Sequence, residues 1–114
     1  MRRSVMDKKD KALILELKSR IPSDIKKNLK RLVVFGSRAR GNASEYSDLD
    51  VVILLDKKTA AIEKKIEDSV YELMWEHDFK PIISVKIFAE SRFNQAVHKG
   101  FSFYRNIQRE GVVI

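Results

Sequence analysis

The sequence predicts a small α/β fold of one domain, with helices packed on a three-stranded or slightly larger sheet. Three observations carry this. A chain of 114 residues suffices for one modest core. Short apolar runs rich in β-branched residues are set between longer stretches of helical periodicity. The two patterns alternate along the chain, in the order that builds layered α/β packing.

Each element can be justified in turn. In "DKKDKALILELKSRI", Leu13, Leu17 and Ile21 recur every fourth residue and Ile14 widens the stripe, so an amphipathic helix is expected, ended by Pro22. "SDIKKNLK" reads as a turn or short helix with Ser23 as its cap. Leu32–Phe35 reads as a short buried strand, ended by Gly36. "SRARGNA" is then a turn or short helix with Gly41 as terminator. "SDLDVVILLD" is a strand whose stretch Val51–Leu55 is apolar on both faces, as a central strand requires. "KTAAIEKKIEDSVYELMWEH" is a helix presenting Ile62, Ile66, Val70 and Leu73 to the core. "KPIISVKIFA" is a third strand, with Pro81 at its start. One or two helices follow, from a cap at Ser91 to a stop at Gly111, and "VVI" is a short tail. The domain reading is a single unit over 1–114, a basic helical segment at 1–31 preceding a core at 32–114.

The chain carries 23 Lys/Arg against 16 Asp/Glu, a net charge of +7, and the placement is uneven. Residues 1–31 hold 11 basic and 4 acidic side chains; residues 32–114 hold 12 of each. Such a segment faces an anion, whether nucleic acid, nucleotide or acidic partner, or is a solvated helical face. No aromatics interleave the basic residues, so a single-strand nucleic-acid platform is not favoured. No apolar run approaches the roughly 20 residues that span a bilayer, and no signal-peptide core follows the basic start. With no cysteine there is neither disulfide nor thiolate metal site. A cytoplasmic location is expected.

The chemistry is concentrated in "GSRARGNASEYSDLD", residues 36–50. Asp48 and Asp50 alternate on a strand and point to one face, with Cα atoms about 6.6 Å apart. Two carboxylates so placed repel each other unless neutralised. A hard divalent cation such as Mg²⁺ does this, commonly sharing its shell with substrate phosphates. Gly36 and Ser37 form a turn after a strand, where free backbone N–H groups and a hydroxyl meet an anion and glycine admits a close approach. A glycine-serine pair, ten residues, then Asp-x-Asp arises by chance at roughly 10⁻³ per chain of this length. Together the two halves describe a site for a metal-bound nucleoside triphosphate. Arg38 and Arg40 flank the turn and are candidates to contact phosphate or ribose. Ser47 either caps the strand entry or touches the nucleotide.

The stretch "VVFGSRARGNASEYSDLDVVILLD" resembles the minimal nucleotidyltransferase family of the DNA polymerase beta-like superfamily, and "FYRNIQREGVVI" resembles that family's C-terminal helix and ending. The resemblance implies the small nucleotidyltransferase fold. It implies that Gly36 and Ser37 bind the triphosphate, and that Asp48 and Asp50 hold Mg²⁺ as the catalytic acids. It further implies transfer of AMP from ATP to a hydroxyl of a partner protein, a HEPN-domain toxin for which this chain would be the antitoxin. The family's usual third carboxylate is expected on the next strand, but "PIISVKIF" contains no acid. Ser84 or Lys86 stands near that place, and Glu76, Asp78 and Glu90 lie several residues away. Two rival readings stay open: a catalytically weak module that silences a HEPN toxin by binding, or a transferase acting on RNA or a small molecule. His77 and His98 lack ligand spacing and are expected at the surface or partly packed. Tyr71, Met74 and Trp75 are expected to pack in the core or an interface. Phe101, Phe103, Tyr104 and Ile107 form a dense apolar stretch, expected to serve partly as core and partly as an interface with the partner or a second copy.

Overall fold

The computed structural model describes residues 6–114; Arg2 and Arg3 of the basic start lie outside the described residues. The elements run α1 (Lys8–Arg20), α2 (Ser23–Lys26), β1 (Leu29–Phe35), α3 (Ser37–Arg40), β2 (Leu49–Leu55), α4 (Ala60–Glu76), β3 (Ile83–Ala89), α5 (Glu90–Lys99), α6 (Ser102–Glu110) and β4 (Val112–Val113). The sheet has four strands in the order β3-β2-β1-β4. β2 pairs antiparallel with β1 and parallel with β3, and β4 pairs antiparallel with β1. The sheet is therefore mixed, and the expected tail "VVI" supplies its fourth strand.

Local chemistry sets the boundaries. The Asp7 carboxylate caps α1 by accepting from the Lys9 N–H at 2.7 Å. Ile21 is extended ahead of Pro22, and there α1 ends. Thr59 caps α4 by accepting from the Ile62 N–H at 3.2 Å. Two expected caps shift. Pro22 occupies the cap position of α2 and Ser23 is its first helical residue, while α5 starts at Glu90 behind Ala89, so Ser91 caps nothing. The expected boundary between residues 31 and 32 falls inside β1.

Strand alternation divides the core in two. Leu32, Val34, Leu49, Val51, Ile53 and Leu55 face α1 and α4, which contribute Leu13, Ile14, Leu17, Ile66, Val70 and Leu73. Val33, Val52 and Leu54 face α5 and α6, which contribute Phe93 and Ile107, with Phe35, Phe88 and Tyr104 partly buried beside them. The N-terminal helix is thus part of the core and not an appendage to it. Gly111 lets α6 run straight into β4: a Cβ there would collide with the Val33 side chain and lie 2.5 Å from the Ile107 carbonyl oxygen.

Not all the apolar residues are inside. Trp75 is 67% exposed and Tyr71 also faces solvent, so only Met74 of that trio packs on the core. Tyr71 and Trp75 instead meet Phe79 edge-on, at 5.6 and 6.2 Å between ring centroids. In the C-terminal stretch Ile107 is buried and Tyr104 partly so, while Phe101 and Phe103 are exposed. Among the described residues, no helix is long and apolar enough to cross a membrane.

Candidate active site

The site forms where β1 ends and β2 begins. Their antiparallel pairing puts Phe35 opposite Asp50, so the turn after Phe35 lies against the Asp50 carboxylate. Gly36 has φ +78° and ψ −162°, a conformation open in practice to glycine alone. It also leaves no room for a side chain: a Cβ at Gly36 would sit 2.6 Å from Asp50 Oδ2. The sequence motif is thereby one physical object, a bare backbone turn touching a carboxylate. Ser37 opens α3, whose first N–H groups have no partner within the helix. Gly41 closes it in the left-handed conformation, φ +74°.

Asp48 is exposed and Asp50 half-buried. Burial first, then the charge of Asp48, push the Asp50 carboxyl above the usual carboxylate range, and Lys86 draws it partly back. The pair lacks a full counter-charge, which suits it to a divalent cation. No group of three or more His, Cys, Asp or Glu placed to hold a metal ion exists among the described residues, so two carboxylates would hold such an ion and substrate phosphates would complete its shell.

The neighbouring strand brings no acid. β3 places Ser84 beside Asp50, with Lys86 two residues on. Glu76 is committed to Arg20 and Glu90 to Arg31, the latter at 3.4 Å. Asp78 sits in a turn with φ +55°. His77 faces Glu16 at 3.5 Å, and both it and His98 are exposed.

The two arginines beside the turn have separate fates. Arg40 is exposed and reaches Glu110 on α6 at 4.0 Å. Arg38 is held by partners within the chain. Its Nη1 donates to both Asp10 carboxylate oxygens, at 3.0 and 3.1 Å, its Nε to the Ser47 carbonyl at 2.8 Å, and its Nη2 to the Glu45 carbonyl at 3.1 Å. Asp10 is buried and Arg38 partly buried, their side chains 8% and 11% exposed. Arg38 thus fixes the segment that delivers Asp48 and ties it to α1. Ser47 belongs to the same scaffold: its N–H donates to the Ser44 carbonyl at 3.1 Å and its hydroxyl meets that of Ser44 at 3.2 Å. Asp10 escaped the sequence reading. An acid in a basic helix gives no signal of its own, although its place in line with the buried stripe at Leu13, Ile14 and Leu17 could have flagged it.

A cavity of about 1070 Å³ borders the site through Arg38 and Ser47 and is lined further by Asp10, Tyr46, Phe79 and Ile82. Gly36, Ser37, Asp48 and Asp50 do not line it. The candidate site is therefore the open end of β1 and β2, where the turn and the carboxylates stand, and the cavity is its neighbour.

The chain is similar to known proteins along most of its length. Residues 11–113 match the model of a family described as "Nucleotidyltransferase domain". Two proteins of Methanocaldococcus jannaschii are similar to the chain. One, named "Putative protein adenylyltransferase MJ0141", is 36% identical over 92 residues, covering 77% of this chain and 92% of its own length. The other, named "Putative protein adenylyltransferase MJ0604", is 29% identical over 101 residues, covering 89% and 93%.

Proposed function

The chain belongs to the nucleotidyltransferase domain family, and on that premise we propose that it is a Mg²⁺-dependent adenylyltransferase, moving AMP from ATP to a hydroxyl of a partner protein. The observation that supports this is the close approach of the Gly36 turn to Asp50, where a Cβ would lie 2.6 Å from the carboxylate: the turn read as phosphate-binding stands directly beside the acid read as metal-binding. The backbone of Gly36 and Ser37 would hold the triphosphate, and Asp48 and Asp50 the metal. When bound, the ion supplies neutralisation of phosphate charge. The acceptor oxygen forms a new bond to the α-phosphorus, the bond to the β-phosphate's bridging oxygen breaks, and pyrophosphate leaves with that electron pair. The acceptor's proton passes to water. In such chemistry the protein chiefly positions the reacting groups.

The protein-modifying sense rests on the two relatives' names, and a HEPN-domain toxin as acceptor rests on the family resemblance. A second reading is favoured by one feature, the lack of any acid on β3. On that reading the same fold silences its partner by binding alone.

Label transfer from α-labelled ATP to a co-purified partner, with Mg²⁺, separates the two. The expected result is label on the partner, lost in both Asp48→Asn and Asp50→Asn. An unlabelled partner that is nonetheless bound and silenced would leave the binding reading in its place.

A further inference from the structure

Asp50, Ser84 and Lys86 stand on the sheet face covered by α5 and α6, and Asp48, just ahead of β2, is near enough for its charge to act on Asp50. The parallel register pairs Asp50 with Ser84 and Val52 with Lys86, and residues two apart on a strand share a face. Lys86 is the one cation of the four. Its ammonium lies 6.0 Å from the centroid of the Phe103 ring. Phe103 meets Phe35 edge-on at 5.9 Å, and Phe35 both precedes Gly36 and pairs with Asp50. The lysine is exposed, yet its head rests on a ring whose other neighbour is the root of the turn. Its charge is felt at Asp50.

We propose that Lys86 binds the triphosphate, its ammonium pairing with non-bridging oxygens of the tail from the side opposite the Gly36–Ser37 backbone. This inference rests on the nucleotidyl-transfer reading above. Two carboxylates and one divalent ion cancel in charge, so a site made of these alone offers a polyanion only the turn's N–H groups. Lys86 supplies the surplus positive charge. A lysine suits this task, because a mobile point charge can follow a flexible phosphate chain where a planar guanidinium would demand one geometry. Arg38, the nearer cation in sequence, is held by Asp10 and two carbonyls.

The test measures binding of ATP and of AMP, each with Mg²⁺, by calorimetric titration of the purified chain and of Lys86→Met and Lys86→Arg. Methionine keeps an apolar stem on Phe103 and removes the charge. The expected result is a loss of about ten- to a hundredfold in ATP affinity for Lys86→Met, as for one charge-assisted contact. AMP should change less than twofold, and Lys86→Arg should retain most of the ATP affinity. Lys86→Met binding ATP as tightly as the native chain would overturn the inference and leave the nucleotidyl-transfer reading standing. Equal losses for ATP and AMP would overturn it too, by showing a role in holding the site's shape. A native chain that binds no ATP would overturn the inference and that reading together.

Discussion

Asp50 carries its charge at the expense of the fold. Burial and Asp48 hold its carboxyl above its unfolded value, so the native state binds its proton more tightly than the unfolded chain does. The sign follows: the stability it lends is fully present below the ordinary carboxylate pKa and is lost as pH rises through the raised native value. In a chelating buffer, melting temperature should therefore fall with rising pH across that window. Asp50→Asn should flatten the slope and melt higher than the native chain at neutral pH, while abolishing ATP binding. Scanning calorimetry at several pH values checks the first part and titration the second. At this scale the sequence was informative wherever spacing carries meaning. Gly36 and Asp50 stand side by side, as their positions suggest. It was silent on Arg38, because a guanidinium beside a phosphate turn and one bound to a distant acid look alike until Asp10 is placed.

Among the elements, α1 and α3 form the decisive pair. A four-residue helix has little stability of its own, and α3 is held through Arg38 to Asp10 on α1. Removing one partner strands a buried charge, so Asp10→Asn should destabilise the fold by about 3 kcal/mol and weaken ATP binding by loosening the turn. Denaturant unfolding of Asp10→Asn, Arg38→Met and the double variant checks this, with the double expected to lose less than the two singles together. The long elements were legible because periodicity needs length. α1, α4 and β2 lie where their apolar stripes and runs put them. β4 was not, since two valines after a glycine define no pattern, and only pairing with Val33 and Val34 makes them a strand. β1 begins earlier than its apolar run because Leu29, Lys30 and Arg31 precede the buried stretch and alternate between solvent and sheet.

Across the whole molecule, the helical layers leave two aromatic surfaces uncovered. One is Tyr71 and Trp75 on α4; the other is Phe101 and Phe103 at the start of α6, the side of the sheet that carries Asp50. Phe101 is 55% exposed, its ring meeting that of Tyr104 at 6.5 Å between centroids, so it contributes little to the core. Phe101→Ser should leave the melting temperature within a degree or two, while reducing association with the partner or with a second copy. Gel filtration and partner co-purification check this. The uneven charge has a different meaning once the layers are assembled, because the basic segment's apolar stripe is core and its lysines are the outer coat of that core. The Asp10–Arg38 pair joins this coat to the glycine-serine turn, and that junction constrains how such a chain can diverge. A single exchange at either position passes through an intermediate with a stranded charge, so drift at one is blocked until the other changes. Lineages that leave this arrangement should lose both residues together, and helix and turn should be inherited as a unit even where the surface around them has been rewritten.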